Sequence, residues 1–202
     1  MNEQKEGLPQ IEGYPSVLRF KTYTIIDRNG PLQLVPISLD AGQIARSIQW
    51  ELDSEVAKYY SMSPFDSVPA IIEKNYLQAI HDKDEARFEI VHSDFGPVGH
   101  VFLSRVNPFQ KNALVGIMVG EKSVWRKGIG KQAVDVLLAG VKKFGMKTIE
   151  AKIHIDNEPS IRLFRTYPVT TWRQKYIREY VCFRIPLSHW NPPESMELDF
   201  IS

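Results

Sequence analysis

Cysteine is nearly absent from the chain, and long hydrophobic runs are absent altogether. The single cysteine among 202 residues, Cys182, excludes an internal disulfide framework and a cysteine-based zinc site, and we expect no metal. No run approaches the roughly 18 apolar residues that span a membrane, and residues 1–15 lack the apolar segment of a signal peptide. These absences predict a cytoplasmic protein without a membrane partner.

Neither sign of charge dominates the composition. The chain has 25 Lys and Arg against 24 Asp and Glu, which gives a formal net charge of +1. Such a balance provides no whole-molecule attraction to nucleic acid, so we expect no nucleic-acid partner. Hydrophobic residues make up 43% of the chain and charged residues 24%, which is typical of a globular protein rather than a disordered one.

The length of the chain predicts one folded domain with a sizeable core. The first 15 residues are polar and carry several Gly and Pro, and the last 15 show no regular pattern. We therefore expect a loose arm over residues 1–22, a folded domain over 23–187 and an irregular tail over 188–202. The oligomeric state stays open between monomer and homodimer.

The first half of the chain predicts a hairpin followed by helices. Asn29-Gly30 separates two apolar runs, and Asn-Gly in that position is a strong hairpin signal. The two predicted strands are 23–27 and 32–37. Apolar residues at helical spacing then predict three helical segments, over 41–52, 54–61 and 70–81.

The second half of the chain is typical of an α+β domain. Short links join three strand-like segments into a predicted antiparallel meander over 87–92, 98–106 and 113–119. Because the last of these is almost wholly apolar, we expect it to be buried on both faces. A helix over 129–144 and a strand over 148–155 follow it, and such a crossover requires parallel pairing. The remaining predictions are a helix over 159–167 and strands over 170–175 and 179–186.

The junction between the strand 113–119 and the next helix carries the clearest functional signal. Gly128 and Gly130 remove side chains where the backbone meets a ligand, and the first N–H groups of the helix form an anion site. Four basic side chains add positive charge around this turn: Lys122, Arg126, Lys127 and Lys131. The pattern favours a phosphate or pyrophosphate site, although a tight turn with solvated basic residues would look similar.

Two other phosphate-binding motifs fit this junction less well. A Walker loop requires Gly at position 125 and Ser or Thr at 132, where the chain has Trp125 and Gln132. The dinucleotide fingerprint is met by Gly128, Gly130 and Ala133. A dinucleotide-binding fold, however, normally opens with that fingerprint and adds further βα units after it, whereas here an antiparallel meander comes first.

Two segments in the right order carry a family resemblance. Val115–Leu138 (VGIMVGEKSVWRKGIGKQAVDVLL) resembles the acyl-CoA-binding motif of the GNAT N-acetyltransferases. Within that superfamily it looks most like the ribosomal-protein-alanine acetyltransferase branch. Ile155–Phe164 (IDNEPSIRLF) resembles the second family motif. The resemblance implies a single GNAT-like domain with a mixed, mostly antiparallel central sheet, flanking helices and a splayed parallel strand pair.

The resemblance also implies a co-substrate, acetyl-CoA. Its pyrophosphate is expected on the turn at Arg126–Lys131, and its pantetheine arm along Met118–Gly120, while Asn157 matches a position that often bonds the pantetheine. The implied cofactor-binding residues are Met118, Val119, Gly120, Arg126, Lys127, Gly128, Ile129, Gly130, Lys131, Asn157, Ser160 and Phe164. Trp125 is expected either to shield the pyrophosphate or to act as a hydrophobic brace.

The implied activity is acetyl-CoA-dependent N-acetylation, in which a primary amine attacks the thioester directly. The acceptor is a small amine or a protein N-terminus, and the early helices of the family flank its site. We therefore expect an acceptor wall that includes Trp50, Glu51 and Asp53, with Tyr60 beside it. The alternative is an acyl-CoA-binding or sensing domain that has lost catalysis.

The chemistry requires a donor to the oxyanion and removal of a proton from the amine, and an acid can protonate the leaving thiolate. The N–H of Met118 or Val119 is the candidate donor. Five residues are candidate bases, with Glu89 preferred: Glu89, Glu121, Asp53, His100 and His154. Phe164 occupies the position of the Tyr that often protonates the leaving thiolate, so we expect Tyr167 as the acid, with Tyr180, water or departure of an unprotonated thiolate as alternatives. This substitution motivates the non-catalytic alternative.

Overall fold

The computed structural model describes residues 16–59, 68–172 and 179–202. In these ranges nine strands form one sheet in the order β7-β8-β6-β5-β4-β3-β2-β1-β9. The strands are β1 (Thr24–Asp27), β2 (Leu32–Pro36), β3 (Ala86–His92), β4 (Gly96–Asn107), β5 (Asn112–Val119), β6 (Thr148–His154), β7 (Thr170–Trp172), β8 (Tyr180–Pro186) and β9 (Leu198–Ile201). Within this sheet β5 and β6 pair in parallel and all other neighbours are antiparallel, which confirms the predicted mixed sheet.

Helices cover both faces of this sheet. They are α1 (Ala41–Leu52), α2 (Ser54–Ala57), α3 (Pro69–His81), α4 (Ile129–Lys143) and α5 (Glu158–Phe164), with short 3-10 helices at Ser16–Thr22 and Lys122–Val124. Three of the helices begin where a side chain accepts a backbone N–H: Asp40 caps α1, Asp53 caps α2 and Asn157 caps α5. Such caps fix the residue at which each helix begins.

The hydrophobic core lies between α4 and the sheet. Leu137 and Val134 of α4 are fully buried with Phe88 of β3 and Phe20 of the first 3-10 helix. The neighbouring strand residue, Glu89, contacts α1 instead. Because consecutive strand residues point to opposite faces, α4 and α1 cover opposite sides of the sheet.

The parallel pair separates along its length. β5 and β6 are paired at Asn112–Thr148, Ala113–Ile149 and Leu114–Glu150, and at no later position of the described strands. Beyond this point β5 stays paired with β4 as far as Val119, while β6 stays paired with β8 as far as His154. The sheet is therefore open between the second halves of β5 and β6, as the family resemblance implies.

Three sequence expectations are wrong in detail. The tail is not irregular throughout, because Leu198–Ile201 forms β9 on the free edge of β1. The strand β5 is not buried on both faces, since the sheet opens beside it and its residues alternate between buried and partly exposed. The helix predicted over 159–167 spans Glu158–Phe164. Tyr60 and the predicted strand residues 173–175 lie outside the described residues.

Candidate active site

A cavity of about 750 Å³ lies where β5 and β6 have separated, between the end of β5 and the segment that follows β6. Its walls come from the end of β5, the first turn of α4, the start of α5 and the residues of and after α2. Most of the predicted cofactor-binding residues line it: Met118, Val119, Arg126, Gly128, Ile129, Gly130, Lys131, Asn157 and Ser160. Two distant motifs of the sequence therefore meet at one site.

The turn before α4 is built to present backbone N–H groups. Arg126 and Gly128 have positive φ angles of 65° and 82°, a region that glycine adopts without strain. Gly128 then caps α4, whose first intrahelical bond to this cap runs from the Gln132 N–H to the Gly128 carbonyl. The N–H groups of residues 129–131 precede that bond and have no partner within the helix. They point out of the positive end of a 15-residue helix.

The absence of a side chain at Gly130 is better explained by a bound ligand than by packing within the protein. A Cβ at this position would lie 3.4 Å from Cδ1 of Leu163, 3.6 Å from Cδ1 of Ile117 and 3.7 Å from Cγ2 of Val119. These are ordinary van der Waals distances, so the protein itself has room for a side chain. All four residues line the cavity, and a Cβ here would take space from whatever binds there. The residues present therefore fit a pyrophosphate-bearing ligand.

The predicted general acid does not reach the cavity. Tyr167 is only 4% exposed, and its hydroxyl donates to Oδ1 of Asp135 at 2.8 Å. Lys131 Nζ, which does line the cavity, donates to the other carboxylate oxygen at 2.6 Å. Burial, reinforced by the Asp135 carboxylate, raises the pKa of Tyr167 well above its usual value. The Tyr167 side chain therefore orients Asp135 and Lys131.

The end of β5 exposes one peptide edge to the cavity. The Gly120 N–H donates to the Val98 carbonyl at 2.9 Å, so this N–H is directed at β4. Because the hydrogen-bonding direction alternates along a strand, the Met118 N–H also faces β4, whereas that of Val119 faces the cleft. In agreement with this, the Val119 carbonyl, which lies on the same strand edge as its N–H, accepts a hydrogen bond from the Trp125 indole Nε1–H at 2.8 Å. Of the two candidate oxyanion donors, Val119 has the matching orientation.

The segment around α2 forms a bridge over the cavity. On one side Lys122 pairs with Asp53 at 2.7 Å and with Glu55 at 3.3 Å. The hydrogen bond from Lys122 lowers the pKa of Asp53. On the other side the Tyr59 hydroxyl donates to the Asp156 carbonyl at 2.8 Å. Glu55, Val56, Lys58 and Tyr59 consequently line the cavity. The sequence offered no signal for these residues beyond the general position of the early helices.

The predicted acceptor wall is mostly engaged in internal contacts. The Trp50 indole covers Gly120 so closely that a Cβ there would overlap the ring. Glu51 lies 4.0 Å from Arg87, and Asp53 holds Lys122 and the first turn of α2. None of these three side chains is among the described residues that line the cavity.

The preferred base, Glu89, lies in a buried polar cluster with side chains of α1. It is 3% exposed and accepts two hydrogen bonds from Arg46, at 2.8 and 3.0 Å, and one from Gln43. The neighbouring His100 is buried beside Trp50, and burial, with the charges of Arg87 and Arg46, lowers its pKa to about 3. Neither side chain reaches the cavity in the described part of the chain.

Three predicted cofactor residues lie apart from the cavity lining. Phe164 packs in the core between Tyr167 and Phe183. Gly120 lies under Trp50, and Lys127 Nζ lies 4.5 Å from the centroid of Phe95. Burial raises the pKa of the Cys182 thiol, in keeping with a packing role.

No group of three or more His, Cys, Asp or Glu side chains in residues 16–59, 68–172 and 179–202 is arranged to hold a metal ion. Within the same ranges no helix is both long and apolar enough to cross a membrane.

Comparison with known proteins agrees with this geometry. A family model described as an acetyltransferase (GNAT) domain matches residues 32–167, well over half of the chain, and the chain belongs to that family. The uncharacterised N-acetyltransferase p20 of Bacillus licheniformis is 28% identical over 138 residues, which cover 65% of this chain and 75% of that protein. The family assignment made from the two sequence motifs is therefore confirmed.

Solved structures share the fold at low sequence identity. Spermidine N-acetyltransferase from Vibrio cholerae, in complex with CoA and spermine, superposes with a TM-score of 0.66 at 17% identity, over 79% of this chain and 97% of that one. A ribosomal alpha-N-protein acetyltransferase in complex with coenzyme A superposes with a TM-score of 0.64 at 15% identity, over 77% and 94% of the two chains. These likenesses establish the GNAT-like architecture.

Proposed function

We propose that this protein is an acetyl-CoA-dependent N-acetyltransferase whose acceptor is a primary amine, either a small molecule or a protein N-terminus. The observation that carries the proposal is the cavity between β5 and β6, which has the N-terminus of α4 along one wall. Membership of the GNAT family and the CoA complexes named for two structural neighbours support the same co-substrate.

The turn formed by Arg126–Lys131 at the start of α4, which we call the cradle, suits a pyrophosphate. The amides of residues 129–131 and the positive end of α4 attract negative charge, and Arg126 and Lys131 line the same cavity. Gly130 leaves room for close approach of the phosphate oxygens. Acetyl-CoA supplies the acyl thioester, and we assign its pantetheine arm to the cleft edge of β5, at Ile117 and Val119.

The reaction that we assign needs few groups from the protein. The amine nitrogen forms a bond to the thioester carbonyl carbon and gives up one N–H proton to solvent water, the carbon–sulfur bond breaks, and its electron pair leaves with the sulfur as the CoA thiolate. The Val119 N–H, directed into the cleft, donates to the oxygen on which negative charge develops, a contribution that typically amounts to about 10²–10³ in rate. The attacking amine must first be neutral, because an alkyl ammonium has no free electron pair.

One observation favours the alternative, a non-catalytic acyl-CoA-binding domain. Phe164 and Tyr167 both lie in the core, and the Tyr167 hydroxyl is bound to Asp135. The motif therefore offers no hydroxyl donor to the thiolate at these two positions. The cradle, by contrast, is intact, so binding without turnover is the outcome that this alternative predicts.

Turnover with a panel of amines tests the proposal. The purified protein would be incubated with acetyl-CoA and spermidine, an amino sugar, or short peptides with free N-termini, and CoA release and acetylated product would be measured. We expect stoichiometric CoA and N-acetyl product with at least one amine class. Tight acetyl-CoA binding without product across the panel would favour the sensing domain, and no binding at all would contradict both functions.

A further inference from the structure

Trp125 makes a directed contact with the strand that borders the cleft. It follows the 3-10 helix Lys122–Val124, and its indole N–H donates to the Val119 carbonyl at 2.8 Å. Both residues line the cavity. Unlike apolar packing, this hydrogen bond is directional, so it fixes the orientation of the Val119 carbonyl as well as filling space beside the strand.

The peptide group that joins Val119 to Gly120 is consequently held from both sides. Its carbonyl accepts the Trp125 indole N–H, and its N–H donates to the Val98 carbonyl at 2.9 Å. The Trp50 ring packs against the α carbon of the same glycine. A peptide group held at both its oxygen and its nitrogen has little freedom to rotate about the adjacent backbone bonds.

The preceding peptide carries the N–H that faces the cleft. Its orientation depends on the backbone angles of Val119, which the fixed peptide restrains on one side and the pairing of Met118 with His100 restrains on the other. Loss of the indole N–H would free the Val119 carbonyl to turn and would loosen the aim of the Val119 N–H. The rest of the cradle, formed by α4, would keep its geometry.

We propose that Trp125 is a positioning residue, which holds the last peptide of β5 through its indole N–H so that the Val119 amide points at the reacting thioester carbonyl. This inference rests on the proposed acetyltransferase function. It selects a specific role for Trp125, since the sequence left shielding and apolar bracing open. It also predicts that the effect of Trp125 lies in the chemical step rather than in cofactor affinity.

The variant Trp125→Phe tests this role, because it keeps an aromatic ring and removes the N–H. We expect kcat to fall at least tenfold, toward the effect of losing an oxyanion donor, which is about 10²–10³. The Kd for CoA and the KM for acetyl-CoA should stay within about threefold, because the α4 cradle is untouched. Trp190→Phe makes the same change at a buried tryptophan that is not among the described lining residues, and should leave kcat unchanged.

A second measurement does not depend on activity. Amide hydrogen exchange at Gly120 in the ligand-free protein should accelerate in Trp125→Phe and not in Trp190→Phe, since the Gly120 N–H belongs to the restrained peptide. Unchanged exchange at Gly120, or an unchanged kcat, would overturn the proposal, and so would a loss of CoA affinity equal to the loss of kcat. If the wild-type protein binds CoA but acetylates no amine, the proposed function itself has failed, and the exchange data then report separately on the restraint.

Discussion

Asp135 links Lys131, which lines the cavity, to the buried Tyr167. It is buried on α4, and its two carboxylate oxygens are taken by the Lys131 ammonium and the Tyr167 hydroxyl. Lys131 also lies 4.9 Å above the Tyr167 ring, so its position at the cavity is set from two directions. A buried carboxylate needs such partners, because an unpaired one is costly.

Tyr167→Phe separates a structural role from a catalytic one. Removal of the hydroxyl leaves one oxygen of Asp135 without its partner, so we expect the free energy of unfolding in urea to fall by about 1–3 kcal/mol. The kcat should change by less than about threefold, because the hydroxyl does not reach the cavity. A large fall in kcat with full stability would contradict this account and restore Tyr167 as the acid.

The sequence could predict residue types at this site but not the direction in which they point. Gly128, Gly130 and Asn157 were predictable because each acts on the backbone. Gly128 forms a turn, Gly130 allows close approach of a ligand, and Asn157 caps a helix. Phe164 and Glu89 were placed near the chemistry by the family resemblance, yet neither is among the described residues that line the cavity, because Phe164 packs against Phe183 and Glu89 binds Arg46. Whether a side chain is buried depends on residues far away in the chain, so a local sequence pattern does not predict it.

At the scale of elements, the strand β9 and the position of α2, which is shorter than the helical segment predicted over 54–61, show what local patterns miss. β9 is four residues long and lies within a segment without clear alternation, so its pairing with β1 is decided by a free sheet edge rather than by propensity. Similarly α2 has four residues and is positioned by ties to Lys122 and Asp156. The long, periodic elements α1, α3 and α4 were predicted within one residue at each end.

The contribution of β9 can be measured with two substitutions in the same strand. Phe200 packs against Tyr23 and Phe144 with ring centroids 6.3 and 5.4 Å apart, whereas Ile201 is 55% exposed. We expect Phe200→Ala to lower the free energy of unfolding by about 1–3 kcal/mol. Ile201→Ala should cost about 0.5 kcal/mol or less. Equal effects in chemical denaturation would show that β9 does not dock as described.

At the scale of the whole molecule, the opening of the sheet links the fold to the proposed function. A continuous sheet would seal β5 against β6, whereas here the pairing stops after Leu114 and a cavity opens beside the N-terminus of α4. The antiparallel meander, the parallel crossover and the two motifs were predictable from the sequence. The α2 bridge was not, because its ties join residues far apart in the chain.

Calorimetric titration of acetyl-CoA into the wild type and Gly130→Ala tests the central claim most directly. Alanine is favoured over glycine in a helix by up to about 1 kcal/mol, and its Cβ meets only ordinary contacts within the protein, so the variant should be at least as stable as the wild type. We predict that the wild type binds acetyl-CoA and that Gly130→Ala loses at least tenfold in affinity. Equal affinity in the two folded proteins, or no binding by the wild type, would contradict the assignment of this cleft to acetyl-CoA.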